Sequence, residues 1–140
     1  MSKTFAILGE GTIGIEAAQY ARYLGHSVTI YERGPTPAAS VADWGHVHLF
    51  TPWKMNTTAL GIETLRRQDL WREFPMDVCP SGEELRQHYL LPLSQSEPLR
   101  HSLRLETRIL RVGRESHLKS DAIGQPERAH RDRRGGRRRH

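Results

Sequence analysis

Gly9, Gly11, Gly14 and Glu32 are the residues whose types and spacing could do chemistry. In the run Gly9-Glu10-Gly11-Thr12-Ile13-Gly14, Gly9 lets the chain turn sharply, Gly11 has no Cβ to keep a pyrophosphate off the backbone, and Gly14 permits close helix–sheet packing. A helix beginning here would present the unpaired N–H groups of its first turn (Thr12, Ile13 and Gly14) and the positive end of its dipole to a diphosphate. Glu32 lies about 20 residues beyond the glycines, where a carboxylate would accept hydrogen bonds from ribose hydroxyls. The same charge would repel a 2′-phosphate, which argues against NADP, an argument slightly weakened by Arg33 next door.

Those residues need a strand, a helix and a second strand to position them. Phe5-Ala6-Ile7-Leu8 is apolar without alternation, as in a strand buried on both faces of a parallel sheet. The spacing predicts a helix to about Leu24, with Ile13, Ala17, Ala21 and Leu24 as its buried stripe, small Ala18 aiding close packing, and Gly25 as a left-handed cap. Val28-Thr29-Ile30-Tyr31 is β-branched and aromatic and reads as the second strand, ending on Glu32. A glycine pattern alone is weak; flanked by these elements it defines a dinucleotide-binding βαβ unit.

Downstream, Gly34–Ala42 is a loop and Val47, Leu49 and Phe50 suggest a short extended segment. Trp44 and Trp53 suit either a wall for a planar ring or a cover for the core. His46 and His48, two apart, would share a strand face, but no third metal ligand is placed nearby, so no metal is expected. Lys54 reads as solvated. A helix is expected over 57–68, and a second opens at Ser81 with Glu84 completing a capping box. Its buried stripe begins at Leu85, His88 and Tyr89, and Pro92 should kink or end it. Leu103–Val112 alternates as a half-buried strand, placed beside the first. Cys79, the only cysteine, reads as an inert thiol; no acid–base pair or nucleophile stands out as catalytic.

The 140 residues allow one domain at most. The net charge of +5 is local: residues 126–140 hold seven arginines against Glu127 and Asp132, and residues 1–125 balance. The body therefore gives no sign of a nucleic-acid partner. A single cysteine, no signal-peptide pattern and no long apolar run fit a reducing, cytoplasmic compartment without a membrane span. The expected division is 1–125 for the nucleotide-binding domain and 126–140 for an arginine-rich tail too polar to order itself.

With these residues assembled, the chain over about residues 3–115 resembles the N-terminal FAD-binding part of FAD/NAD(P)-dependent oxidoreductases, the group holding flavin-containing monooxygenase-like and pyridine nucleotide reductase-like flavoproteins. GEGTIG (9–14), Ala18, VTIYER (28–33), PSGEELRQHYLLPL (80–93) and LRLETRILRVGR (103–114) carry the likeness. The resemblance implies that Gly9, Gly11 and Gly14 turn on the FAD pyrophosphate and that Glu32 binds the ribose. It puts Arg33 beside the adenine and the backbone of Arg108 and Ile109 at the adenine edge. It also implies NAD(P)H as electron donor. The family's later strands, its Ala-Thr-Gly turn, its separate NAD(P) domain and the cysteine pair of its disulfide-reductase branch have no counterpart here.

The expectation is thus an incomplete doubly wound α/β parallel sheet of Rossmann type binding FAD, acting with a missing C-terminal portion of the same enzyme on an unidentified small molecule. The abrupt change to arginine-rich sequence suggests a truncated or frame-shifted product, inactive alone. Two alternatives stay open. One puts NAD(H) in the same site; the other is a non-catalytic nucleotide-binding module whose basic tail contacts nucleic acid.

Overall fold

Strand β1 (Thr4–Leu8), helix α1 (Thr12–Tyr23) and strand β2 (Ser27–Tyr31) form the expected βαβ unit, with β1 and β2 parallel in register from Thr4↔Ser27 to Leu8↔Tyr31. The computed structural model describes residues 1–113. Met1–Ile109 form one compact unit; Leu110–Gly113, the described part of the second, hold no regular element. The boundary at 125/126 and the basic tail lie outside the described residues.

A two-residue strand, β3 (Leu103–Arg104), pairs parallel with β2 at Ile30↔Leu103 and Tyr31↔Arg104. The sheet order is therefore β1-β2-β3, which corrects the placement of the third strand beside the first. The strand is also far shorter than 103–112. Glu106 adopts a left-handed φ of 49°, and this ends the ladder. Beyond it Glu106 N–H and Thr107 N–H donate to the carbonyls of Gly34 and Glu32, at 3.0 and 2.9 Å.

This order leaves β1 at an edge. Phe5 and Leu8 are 40% and 54% exposed, against the burial on both faces expected of an apolar run. The α1 stripe also differs: Ile15, Ala18 and Gln19 are buried, whereas Ile13 is 82% exposed and Leu24 52%. The inward face was obscured by Gln19, a polar residue that is buried because its amide donates to Leu60 O of the neighbouring helix at 3.2 Å and to Thr64 Oγ1. Gly25 takes the left-handed cap, with φ of 83°.

Helices α2 (Ala39–Asp43), α3 (Trp53–Asn56) and α4 (Ala59–Arg67) follow. Thr58 caps α4 by accepting from Gly61 N at 2.9 Å. Helix α5 (Gly82–Leu85) opens on the capping box: Ser81 Oγ accepts from Glu84 N at 3.1 Å and Glu84 Oε2 from Ser81 N at 2.7 Å. It runs through a π-turn (Arg86–Leu90) into α6 (Leu91–Gln95). Pro92 does not end the helix. The i→i+5 bond from Leu91 N–H to Arg86 O widens the turn just ahead of the residue that lacks a donor.

Leu85, Tyr89 and Leu93, with Leu90, put the inner face of this helix against Ile15, Ile30, Leu65 and Leu99, all at most 1% exposed. Each such aliphatic side chain contributes about 1.5–3 kcal/mol by leaving water. Trp53 belongs to the core, 2% exposed and stacked on Phe74 with centroids 4.4 Å apart; Trp44 is half-exposed. His88 tilts against Phe74 at 5.2 Å, and exposed Lys54 pairs with Asp77. Among the described residues no helix is long and apolar enough to cross a membrane, and no cluster of three or more His, Cys, Asp or Glu could hold a metal ion.

Candidate functional site

The glycine turn sits between the carboxyl end of β1 and the amino end of α1. Gly9 N–H continues the ladder by donating to Tyr31 O at 2.8 Å, and its φ of 96° swings the chain off the strand. A Cβ on Gly14 would overlap Gly9 O and stand 3.2 Å from Gly9 C, so the helix could not start so near the strand with any other residue. Gly11 is different. Its φ of −86° suits any residue and a Cβ there would meet nothing within 4 Å. Neither strain nor packing within the described chain calls for glycine at position 11, and the space beside its backbone is open. Gly11 makes no side-chain cap, and the N–H groups of Thr12, Ile13 and Gly14 find no acceptor among the described residues. Ile13 projects into solvent beside them.

Glu32 closes the other side. It is 7% exposed, and its carboxylate is fixed by two backbone donors: Glu10 N to Oε2 at 2.8 Å and Gly34 N to Oε1 at 2.7 Å. The acid is thus aimed at the glycine turn and held there by it. A carboxylate has about four acceptor positions, so two backbone bonds leave capacity for ribose hydroxyls. Arg33 points to solvent, and Arg108 and Ile109 are exposed, following directly on Thr107, whose N–H is bonded to Glu32 O. The structure therefore brings Gly9, Gly11, Thr12, Ile13, Gly14 and Glu32 together around one mouth, with Arg108 and Ile109 leaving from its rim.

Three further residues belong to this mouth. Gly34 admits the Glu32 carboxylate, since a Cβ there would stand 3.2 Å from Oε1 and overlap the Ala39 side chain. Ala38 takes a left-handed φ of 51° to start α2. Glu10 is the third: it is fully buried, and neither carboxyl oxygen receives a well-formed hydrogen bond, the Ala38 N–H being near but poorly aligned. Burial raises its pKa from 4.5 to about 7; the Ala38 N–H opposes that rise and the Glu32 charge adds to it. A charged residue between two turn glycines was the one sequence signal for it. A separate groove of about 770 Å³ between α1 and α4, lined by Tyr20, Tyr23, Leu60, Ile62, Trp71 and Met76 among others, shares no residue with this mouth.

Strand, bare glycine turn, helix and carboxylate at the end of the second strand define a dinucleotide-binding α/β protein. The family model for FAD dependent oxidoreductases (DAO) matches residues 4–136, and the chain belongs to that family. No solved structure matches it. The site fits the family's cofactor: the bare peptide at Gly11 and the free first-turn donors suit a diphosphate, and Glu32 suits the ribose.

Proposed function

We propose that this chain is the FAD-binding part of an oxidoreductase that takes electrons from NAD(P)H and passes them to oxygen or an organic substrate, in the manner of monooxygenase-like or pyridine nucleotide reductase-like flavoproteins. The observation that carries it is position 11: a glycine the described chain does not itself require, at the mouth of α1, facing an acid anchored by the same turn. Membership of the FAD dependent oxidoreductase family favours FAD over NAD(H) there.

FAD supplies the redox chemistry when bound. The chain's own work is placement. The N–H groups of Thr12, Ile13 and Gly14 would offset the diphosphate charge, Glu32 would orient the adenosine ribose, and the backbone at Arg108 and Ile109 would border the adenine. The free edge of β1 and its exposed Phe5 and Leu8 support a further part of this reading, that additional strands of the same enzyme, bearing the donor and substrate sites, join the sheet there.

Purified full-length protein, reconstituted with FAD and desalted, is expected to keep flavin absorbance, to release FAD on denaturation, and to lose it on Gly11→Ala substitution. Protein that stays colourless but retains NADH would transfer the site to NAD(H).

A further inference from the structure

We propose that Glu10 is a proton-binding site built into the nucleotide turn, taking up one proton when a dinucleotide diphosphate settles on residues 9–14. This rests on the reading above that the turn holds FAD.

The geometry is that of a carboxyl group with nowhere to put a charge. Glu10 is fully buried and neither of its oxygens receives a well-formed hydrogen bond. Burying a carboxylate with no well-formed hydrogen bond is among the costliest arrangements in a protein, and holding a proton relieves it. Its neighbour Glu32 is supplied differently, with two backbone N–H donors on its two oxygens, one of them Glu10's own amide. The charge of the pair therefore belongs on Glu32 and the proton on Glu10.

The segments adjoining the turn bring no cation to Glu10: the 104–108 segment bonds through its backbone to Glu32 and Gly34, and its Arg104, Glu106 and Arg108 are exposed. β1 (Thr4–Leu8) and the first turn of α1 (Thr12-Ile13-Gly14) contain no titratable side chain. The end of β2 contributes Glu32, the start of α2 contributes the Ala38 N–H, and Arg33 lies exposed. Glu16, one turn further along α1, is engaged with Thr58 and Tyr89. Among the described residues the only charge acting on Glu10 is Glu32, which disfavours a second negative charge, and in the free protein ionisation is pushed up to about 7.

A diphosphate on the first-turn N–H groups adds negative charge beside the same carboxyl. It makes Glu10 harder to ionise in the complex than in the free protein, so between those two midpoints binding consumes a proton. The sign follows. Below the free-protein midpoint Glu10 is already protonated and affinity does not change with pH. Above it, affinity falls by up to roughly tenfold per pH unit until the midpoint of the complex is reached.

The test is calorimetric titration of the full-length apoprotein with FAD from about pH 6 to pH 9, in two buffers of different ionisation heat, for wild type and Glu10→Gln. Wild type should bind with flat affinity at the acid end, weaken several-fold per unit above about pH 7, and show buffer-dependent heats equal to uptake of up to one proton. Glu10→Gln, which keeps a neutral side chain of the same shape, should bind with no slope and no buffer dependence. The carboxyl carbon resonance of Glu10 in unmutated protein gives a reading that does not depend on a variant folding, and should titrate near neutrality and shift upward with FAD. A flat wild-type profile, a slope retained in Glu10→Gln, or a Glu10 resonance titrating in the ordinary carboxylate range would overturn the proton site while leaving FAD binding intact. Folded wild type that binds no FAD at about pH 6 would overturn the flavin reading and this inference with it.

Discussion

The three glycines of the turn are not equivalent, and substitution should separate them. Gly14→Ala drives a methyl group into the Gly9 carbonyl, backbone against backbone, where neither side can give. Overpacking of this kind costs about 1–3 kcal/mol, so a clear loss in denaturation midpoint is expected together with lost flavin. Gly11→Ala meets open space at an ordinary φ. Its folding cost should stay below about 1 kcal/mol, the difference between residues at an N-cap, while flavin retention collapses. Equal losses of stability in the two variants, read by urea denaturation, would remove the argument that position 11 is bare for a ligand. Glu10 adds a pH signature that needs no ligand. Its pKa is raised in the fold from 4.5 to about 7, so the folded state holds a proton that the unfolded state has released across that window. Stability should therefore fall as pH rises from about 4.5 to 7 and level off above it. The difference between wild type and Glu10→Gln across that range isolates this contribution.

Helix α1 carries the site at its amino end, and what fixes that helix laterally is a polar junction one turn further on. Glu16 accepts from Tyr89 Oη and from Thr58 Oγ1, while Thr58 N donates to Tyr89 Oη at 3.0 Å. Tyr89 is fully buried in the π-turn, and its hydroxyl is held protonated by burial and by the Glu16 charge. Tyr89→Phe leaves Glu16 and Thr58 N–H short of a partner, with an expected cost of about 1–3 kcal/mol. Gly61 leaves room for this hydroxyl, since a Cβ there would overlap Oη and stand 2.8 Å from the ring carbon bearing it. Gly61→Ala should destabilise wild type more than it destabilises Tyr89→Phe, because the second background has already removed the nearest clashing atom. A double-mutant cycle by chemical denaturation measures the coupling, expected at about 0.5 kcal/mol or more; additivity would separate the two positions.

At the scale of the whole molecule, the described sheet is three strands with both outer strands, β1 and the two-residue β3, unpaired on their far sides, and much of the helical core is built from Leu85, Tyr89, Leu90 and Leu93. A ligand that bridges β1, α1 and β2 should therefore raise stability visibly. FAD at about 100 times its dissociation constant contributes about 2.7 kcal/mol by mass action, and the midpoint of thermal unfolding should rise by roughly 5–15 °C. NADH at the same concentration should give a smaller rise; the reverse order would move the site to NAD(H). Charge makes a further distinction. The net +5 resides in residues 126–140, so removing them should leave FAD binding unchanged. Any salt-sensitive association with nucleic acid should disappear with them.

The glycine turn and the acid that faces it were legible in the sequence because the arrangement is local. Gly9, Gly11 and Gly14 act through backbone conformation and contacts within a single turn, and Glu32 follows at the distance one helix and one strand impose. The capping box at Ser81 and the left-handed cap at Gly25 were legible for the same reason. What the tertiary structure alone decided depends on partners distant in the chain. Gln19 is buried because α4 offers it Leu60 O and Thr64, β3 lies beside β2 because Ser102 and Arg104 carbonyls accept from Ile30 and Glu32 N–H, and Pro92 stays within a helix because a π-turn precedes it. Glu10 is the sharpest case: as a residue type it belongs in water, and only the closing of residues 32–38 over the turn buries it beside a second acid. Short-range backbone geometry is written in spacing, whereas burial of a polar side chain is set by which distant groups arrive to surround it.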